Sequence, residues 1–231
     1  ALASLGLDPL ETAGSFEAWG GRFPDKAVRS GNWENIRRRH FELSRKYIYS
    51  NNSTLGATLK AARVRMEKVQ RILSDGCNLD RFVNEIILNI RPVRESIARL
   101  INSPESGKYI GNVDSVTEGM SFVANGLTFG NKDVILITDH EHTGGRTMWE
   151  LQRDRYGSAL ATVPLLDPGD TEETWRENLL ERYRSVLSGG GVKLMSFPWI
   201  TTSTGHVLPV KELCALALEF GAVSVVDAAQ A

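Results

Sequence analysis

The chain has 231 residues, with 27 Lys and Arg against 28 Asp and Glu, so its formal net charge is −1 and nothing in the balance points to nucleic acid or an anionic membrane surface. Apolar residues make up 42% and charged residues 24%, ordinary values for a globular protein that can bury a substantial core. No apolar run approaches the roughly 18 residues of a spanning helix, and Cys77 and Cys214 are too few and too far apart to read as a disulfide framework.

The chain opens on Ala1-Leu2-Ala3 without an initiator Met, as a processed product or a fragment would. Two reduced thiols suit a cytoplasmic protein; the small-x-small start keeps export after signal-peptide removal as the alternative. Residues 1–55 read as an N-terminal arm, in which Glu34, Arg37, Arg38, Arg39, Glu42 and Arg45 make the stretch from Asn32 to Lys46 a solvated helix. After the turn Asn51-Asn52-Ser53, apolar positions Leu59, Ala62, Val64, Met66, Val69 and Ile72 predict an amphipathic helix from Ala57 to Leu73. Two further helices are expected at Leu79–Asn89 and Pro92–Ile101, then a Ser-Pro-Gly loop at 103–107 and a short extended segment from Tyr109 to Val113.

Beyond residue 113 the pattern changes. Four apolar runs, Asp133–Thr138, Ala159–Leu166, Val192–Phe197 and Ala222–Val226, alternate with helical candidates at 117–127, 144–154, 171–188 and 209–220. That alternation predicts an α/β fold with a mainly parallel sheet and helices on both faces. The three glycines at 189–191 read as a helix-to-strand turn, since no glycine-rich phosphate loop of the nucleotide-binding kind surrounds them.

Chemistry-bearing residues gather where strands end. In Asp114-Ser115-Val116-Thr117-Glu118-Gly119, Ser115 or Thr117 can cap a helix whose free N–H groups form an anion site, or serve as an ordinary cap and nothing more. Asp139-His140-Glu141-His142-Thr143-Gly144-Gly145 follows a strand; an imidazole there can stack on a flat ligand that the glycines let approach. As an alternative, Asp139, His140, Glu141 and His142 could ligate a metal, with His140 and His142 on one face of an extended segment, although the helical His spacing of zinc proteases is absent. The loop Thr201-Thr202-Ser203-Thr204-Gly205-His206 offers hydroxyl donors or is plain turn chemistry, with His206 a solvated or satisfied loop histidine. Asp227 ends the last apolar run, and in open α/β sheets ligands bind beyond the carboxyl ends of strands. Gln230 follows three residues later.

The segments SVTEGMSFVANGL, DVILITDHEHTGG, TTSTGHVLPVKEL and VVDAAQA occur in the order and approximate spacing of the class V aminotransferases. The resemblance covers roughly residues 45–231 and is closest to the isopenicillin N epimerase-like branch, with cysteine desulfurases more distant. It implies fold type I, pyridoxal 5′-phosphate as cofactor, an amino acid as substrate, reaction at its α-carbon and a homodimer. It also implies roles: Asp227 for the pyridine nitrogen, Gln230 for the phenolic oxygen, His142 stacked on the ring, Thr117 with the Glu118 amide in the phosphate cradle. Thr202 stands where desulfurases carry Asn, which points away from a desulfurase. The family's Schiff-base lysine lies beyond the Asp, and Lys193 and Lys211 precede it in a strand start and a helix start. The resemblance therefore implies that residues 56–231 are an incomplete cofactor-binding domain, inactive alone. A non-catalytic relative, a desulfurase or lyase, and a metal-dependent hydrolase using His140 and His142 are the other readings.

Overall fold

The computed structural model describes residues 33–75 and 79–231. Most of the N-terminal arm, including Ala1-Leu2-Ala3, and Cys77 lie outside the described residues. The chain divides into two compact units, one ending at Asn112 and the other running Val113–Ala231. That division coincides with the change of pattern at residue 113.

In the first unit the expected helix from Asn32 to Lys46 is shorter: α1 spans Trp33–His40. Phe41 leaves it to bridge Leu59 in antiparallel fashion, and the Arg37 guanidinium donates to the carbonyls of Ser44 and Tyr47, holding the chain in its return. α2 is Lys60–Ser74, close to expectation, with Ile72 as its buried residue. The two helices expected on either side of Pro92 are instead continuous. Leu79–Phe82 passes through a π-helical turn, Val83–Ile87, into α3, Leu88–Leu100, which contains Pro92. Proline removes a backbone donor from a helix interior. Here it is the fifth residue of the new segment, and Asn89 Nδ2 donates to the carbonyls of Asn84 (3.3 Å) and Glu85 (3.0 Å) in the wide turn before it. Of the segment Tyr109–Val113, expected to be extended, Tyr109 lies in a turn and residues 110–113 join no strand.

The second unit is the expected α/β body. Ser115 caps α4 (Val116–Gly126), and the strands are β1 (Val134–Thr138), β2 (Ala159–Val163), β3 (Val192–Pro198) and β4 (Val223–Asp227). Between them lie α5 (Thr143–Tyr156), α6 (Trp175–Ser188) and α7 (Val210–Glu219). All strand pairs are parallel, in the order β2-β1-β3-β4. β2 stops at Val163, three residues short of the predicted end, because Pro164 cannot donate to the ladder. α6 begins at Trp175 rather than 171 because Thr171 and Thr174 exchange amide-to-hydroxyl bonds of 3.0 and 3.3 Å and brace a separate turn. Gly190 and Gly191 take positive φ, 78° and 77°, in the helix-to-strand turn anticipated for them.

Alternating side chains of β1 feed two cores. Ile135 and Ile137 pack with Met120, Ala124 and Trp149 of α4 and α5; Leu136 packs with Leu179, Tyr183, Leu213 and Leu216 of α6 and α7. Helices therefore cover both faces. The connection from β1 runs outward to β2, and the next one returns past β1 to β3, so the strand order reverses between β1 and β3. Such reversals open the crevice in which parallel sheets bind ligands.

One clasp holds the loop after β2. Arg182 of α6 donates from Nε to the carbonyl of Pro164 (3.1 Å) and from Nη2 to that of Leu165 (2.7 Å), and pairs with Asp170 at 3.0 Å. Arg182 first, then the Asp167 amide and Asn178, hold the Asp170 carboxyl down at about 2. The contribution is complete above the ordinary carboxylate value and fades as the pH falls through about 2. Arg182→Ala is expected to lower the thermal midpoint of unfolding by roughly 5–10 °C; an unchanged melting curve at neutral pH would refute the clasp.

Candidate active site

Because the strands are parallel, the segments after β1, β3 and β4 emerge at one edge of the sheet. After β4, Asp227 is buried, at 7% exposure, and its Oδ1 accepts the Ala229 N–H at 3.0 Å. Its Oδ2 accepts nothing among the described residues. Gln230 lies half-buried in the turn that follows. After β3, the Trp199 N–H donates to the Asp227 carbonyl at 2.8 Å, so the hydroxyl-rich loop starts beside the acid.

Within that loop the hydroxyls divide into two kinds. Thr201 is fully buried, its Oγ1 2.7 Å from that of Thr204 and accepting the His206 N–H at 2.9 Å. His206 Nδ1 meets Thr204 Oγ1 at 2.8 Å, and the ring stands edge-on to Trp175, so it braces the loop as anticipated. Thr202 and Ser203 remain exposed, with hydroxyls that no neighbour occupies among the described residues.

After β1, His142 is the N-cap of α5, its Nδ1 accepting the Gly144 N–H at 3.1 Å. The acceptor role leaves the ring proton on Nε2 and fixes the orientation of an exposed imidazole. His140 turns elsewhere, with Nδ1 2.8 Å from Asp139 Oδ1. Burial works against the Asp139 charge, but His140, the Leu165 N–H at 2.8 Å and Thr138 outweigh it and hold the carboxyl below its ordinary value. His140 and His142 thus have separate partners, and among the described residues no group of three or more His, Cys, Asp or Glu is placed to hold a metal ion.

The fourth contribution is the start of α4. Ser115 Oγ accepts the Glu118 N–H at 3.2 Å, and Glu118 Oε2 accepts the Asp114 N–H at 2.6 Å, a reciprocal cap. The Glu118 amide is therefore already engaged. Among the described residues nothing accepts the N–H of Thr117, one residue earlier. Thr117 and His142 converge on Gly144: a Cβ there would lie 2.5 Å from Thr117 Oγ1 and 3.3 Å from His142 Nδ1. Gly144→Ala is expected to cost about 1–3 kcal/mol by overpacking. Urea titration should show the loss, with most of it recovered in the double variant Gly144→Ala/Thr117→Ala; no recovery would mean that Thr117 is not the obstacle.

Sequence reasoning gave Glu141 no role except as a member of the discarded metal set. Both its carboxyl oxygens are buried without a well-formed hydrogen bond. Burial first, then the nearby Asp227 charge, push its carboxyl up to about 8. The available signal was Gly145, four residues on, where a Cβ would sit 3.5 Å from Glu141 Oε2. Lys193, by contrast, is committed to Asp133 at 2.9 Å.

A family model described as Aminotransferase class-V matches residues 58–231. The isopenicillin N epimerase of Streptomyces clavuligerus is 30% identical over 154 residues, which is 66% of this chain and 37% of that protein. A probable cysteine desulfurase of Synechocystis is 28% identical over 193 residues, covering 79% of this chain and 43% of that one. Among solved structures, a C-DES variant with glycine covalently linked to its PLP cofactor superposes with a TM-score of 0.70 at 24% identity, over 84% of this chain and 50% of that one. The chain thus spans half or less of the length of these three proteins.

Proposed function

We propose, on the premise that the chain belongs to the class V aminotransferase family, that its sheet edge holds pyridoxal phosphate for an enzyme acting at the α-carbon of an amino acid. The family is pyridoxal phosphate-dependent, and the cofactor supplies a ring that accepts electron density from the substrate α-carbon. The observation that carries the reading is Asp227, a buried strand-tip carboxylate with Oδ1 held by its own loop and Oδ2 left to a ligand. A carboxylate so placed keeps a pyridine nitrogen protonated.

The other residues suit the same ligand. The unoccupied Thr117 N–H and hydroxyl at the start of α4 form an anion site for the phosphate, with Glu118 serving through the cap it makes rather than through its amide. Gly144 keeps the space beside Thr117 and His142 open, and the His142 imidazole is free to stack on a ring. Gln230 serves the phenolic oxygen, and Thr202 a polar edge of cofactor or substrate. This inventory holds no counterpart of the Schiff-base lysine or of the carboxylate-binding arginine that the family resemblance implies, and no residue above substitutes for them.

Within the family, the epimerase-like reading is supported by Thr202 at the position where the resemblance puts Asn in desulfurases. The desulfurase or lyase reading is supported by the cysteine desulfurase relatives. Holoenzyme given L-cysteine and an excess of a thiol reductant, which frees any persulfide sulfur as sulfide, distinguishes them: sulfide release establishes the second, and α-proton exchange with solvent on other amino acids, without sulfide, the first. A homodimer and a cytoplasmic location belong to the same proposal. Among the described residues no helix is long and apolar enough to cross a membrane, and Cys214 is a free thiol.

A further inference from the structure

Among the described residues, the oxygens of Glu141, Ser196 Oγ and the Tyr183 hydroxyl are buried without a well-formed hydrogen bond, and the cofactor reading uses none of them. Strand alternation shows where they lie. Leu194 and Val225 pack in the core under α4 and α5, so Ser196 and Asp227, two residues further along β3 and β4, leave their strands on that same face. Glu141 folds back beneath it, with Oε2 3.5 Å from the point a Cβ would occupy on Gly145. It is thereby wedged between the first turn of α5 and the tips of β3 and β4.

Two neighbouring buried carboxylates do not both stay ionised, and the proton goes to the one with poorer support for its charge. Asp227 accepts a well-formed bond from a backbone N–H; among the described residues Glu141 accepts none. We infer that Glu141 is a positioning residue, a neutral carboxylic acid that backs Asp227 and leaves Asp227 the ionised member of the pair. The inference deepens the cofactor reading and rests on it for the purpose of Asp227. A neutral Glu141 leaves the site a single negative charge, the one on the strand-tip carboxyl that faces the pyridine nitrogen.

Every packed element bears on Glu141. Asp227 of β4 opposes its ionisation along with burial, while the Ser196 hydroxyl of β3, the backbone at Thr138 and Arg146 of α5 favour it less strongly. Tyr183 of α6 faces the same tip; burial, then the Glu141 and Asp139 charges, push its hydroxyl further from ionisation. As a neutral acid Glu141 gains an O–H, for which Ser196 Oγ and Asp227 are the nearby acceptors.

The test is a pH titration by carbon NMR of the chain labelled at the glutamate carboxyl carbons, without cofactor, the Glu141 resonance being the one lost in Glu141→Gln. The expected midpoint is near pH 8, falling by about one unit in Asp227→Asn as the neighbouring charge is removed. A midpoint in the ordinary carboxylate range overturns the inference, as does a raised midpoint that Asp227→Asn leaves unmoved. Added pyridoxal phosphate should also lower the midpoint, because a protonated nitrogen neutralises Asp227. If Asp227→Asn moves the midpoint and the cofactor does not, the pair stands and the cofactor reading of Asp227 fails.

Discussion

Asp227→Asn is expected to weaken binding of pyridoxal phosphate by about 10- to 100-fold, the equivalent of one charge-assisted hydrogen bond of ~1.5–3 kcal/mol. The amide keeps the size of the side chain and an oxygen for the Ala229 N–H, so the loss isolates the charge facing the ligand. Equilibrium dialysis on the folded chain measures it. Equal affinities for the two forms would remove Asp227 from the cofactor site, whatever the family relationship says of the rest of the fold.

The second large effect is on stability as a function of pH. Glu141 has a folded-state value of about 8 against an ordinary 4.5, so across that window the folded chain holds a proton that the unfolded chain has released. Stability from this group is therefore full below the ordinary value, declines as the pH rises through the window, and is gone above about 8. Integrated over the window, the change is on the order of 4–5 kcal/mol as an upper bound. Urea unfolding between pH 5 and 9 should show the decline in the wild type and a much flatter profile in Glu141→Gln, which is neutral throughout. Parallel profiles would place the titrating group elsewhere.

The α/β body was legible because its signals are local and redundant. Each strand is a short apolar run closed by a turn, and each helix between them has its own periodicity. Differences arose where one residue acts against its neighbours: Pro164 ended β2 early, and Phe41 left α1 to reach Leu59. Pro92 misled in the opposite direction, since the helix runs on through it from a wide turn just upstream. At the site, the strand-end positions of Asp227, His142 and Thr202 followed from the alternation itself. The engaged Glu118 amide and the burial of Glu141 did not. Both depend on which neighbour reaches a polar group first, Ser115 Oγ in one case and, among the described residues, no well-placed donor in the other. That competition is a property of three-dimensional distance and leaves almost no trace in a one-dimensional pattern.

The division of β1 side chains between two cores has a consequence for how this body comes apart. With Ile135 and Ile137 committed to one layer and Leu136 to the other, a slip of one residue would empty both layers together. Neither helical layer can melt and leave the other intact, because the strand that would remain has lost half of what pins its register. The Val113–Ala231 body should therefore unfold as one cooperative transition, with amides of β1 exchanging only through global opening. The ligand edge inherits that rigidity: the turn bearing Glu141 and His142 is anchored to the part of the molecule that opens last.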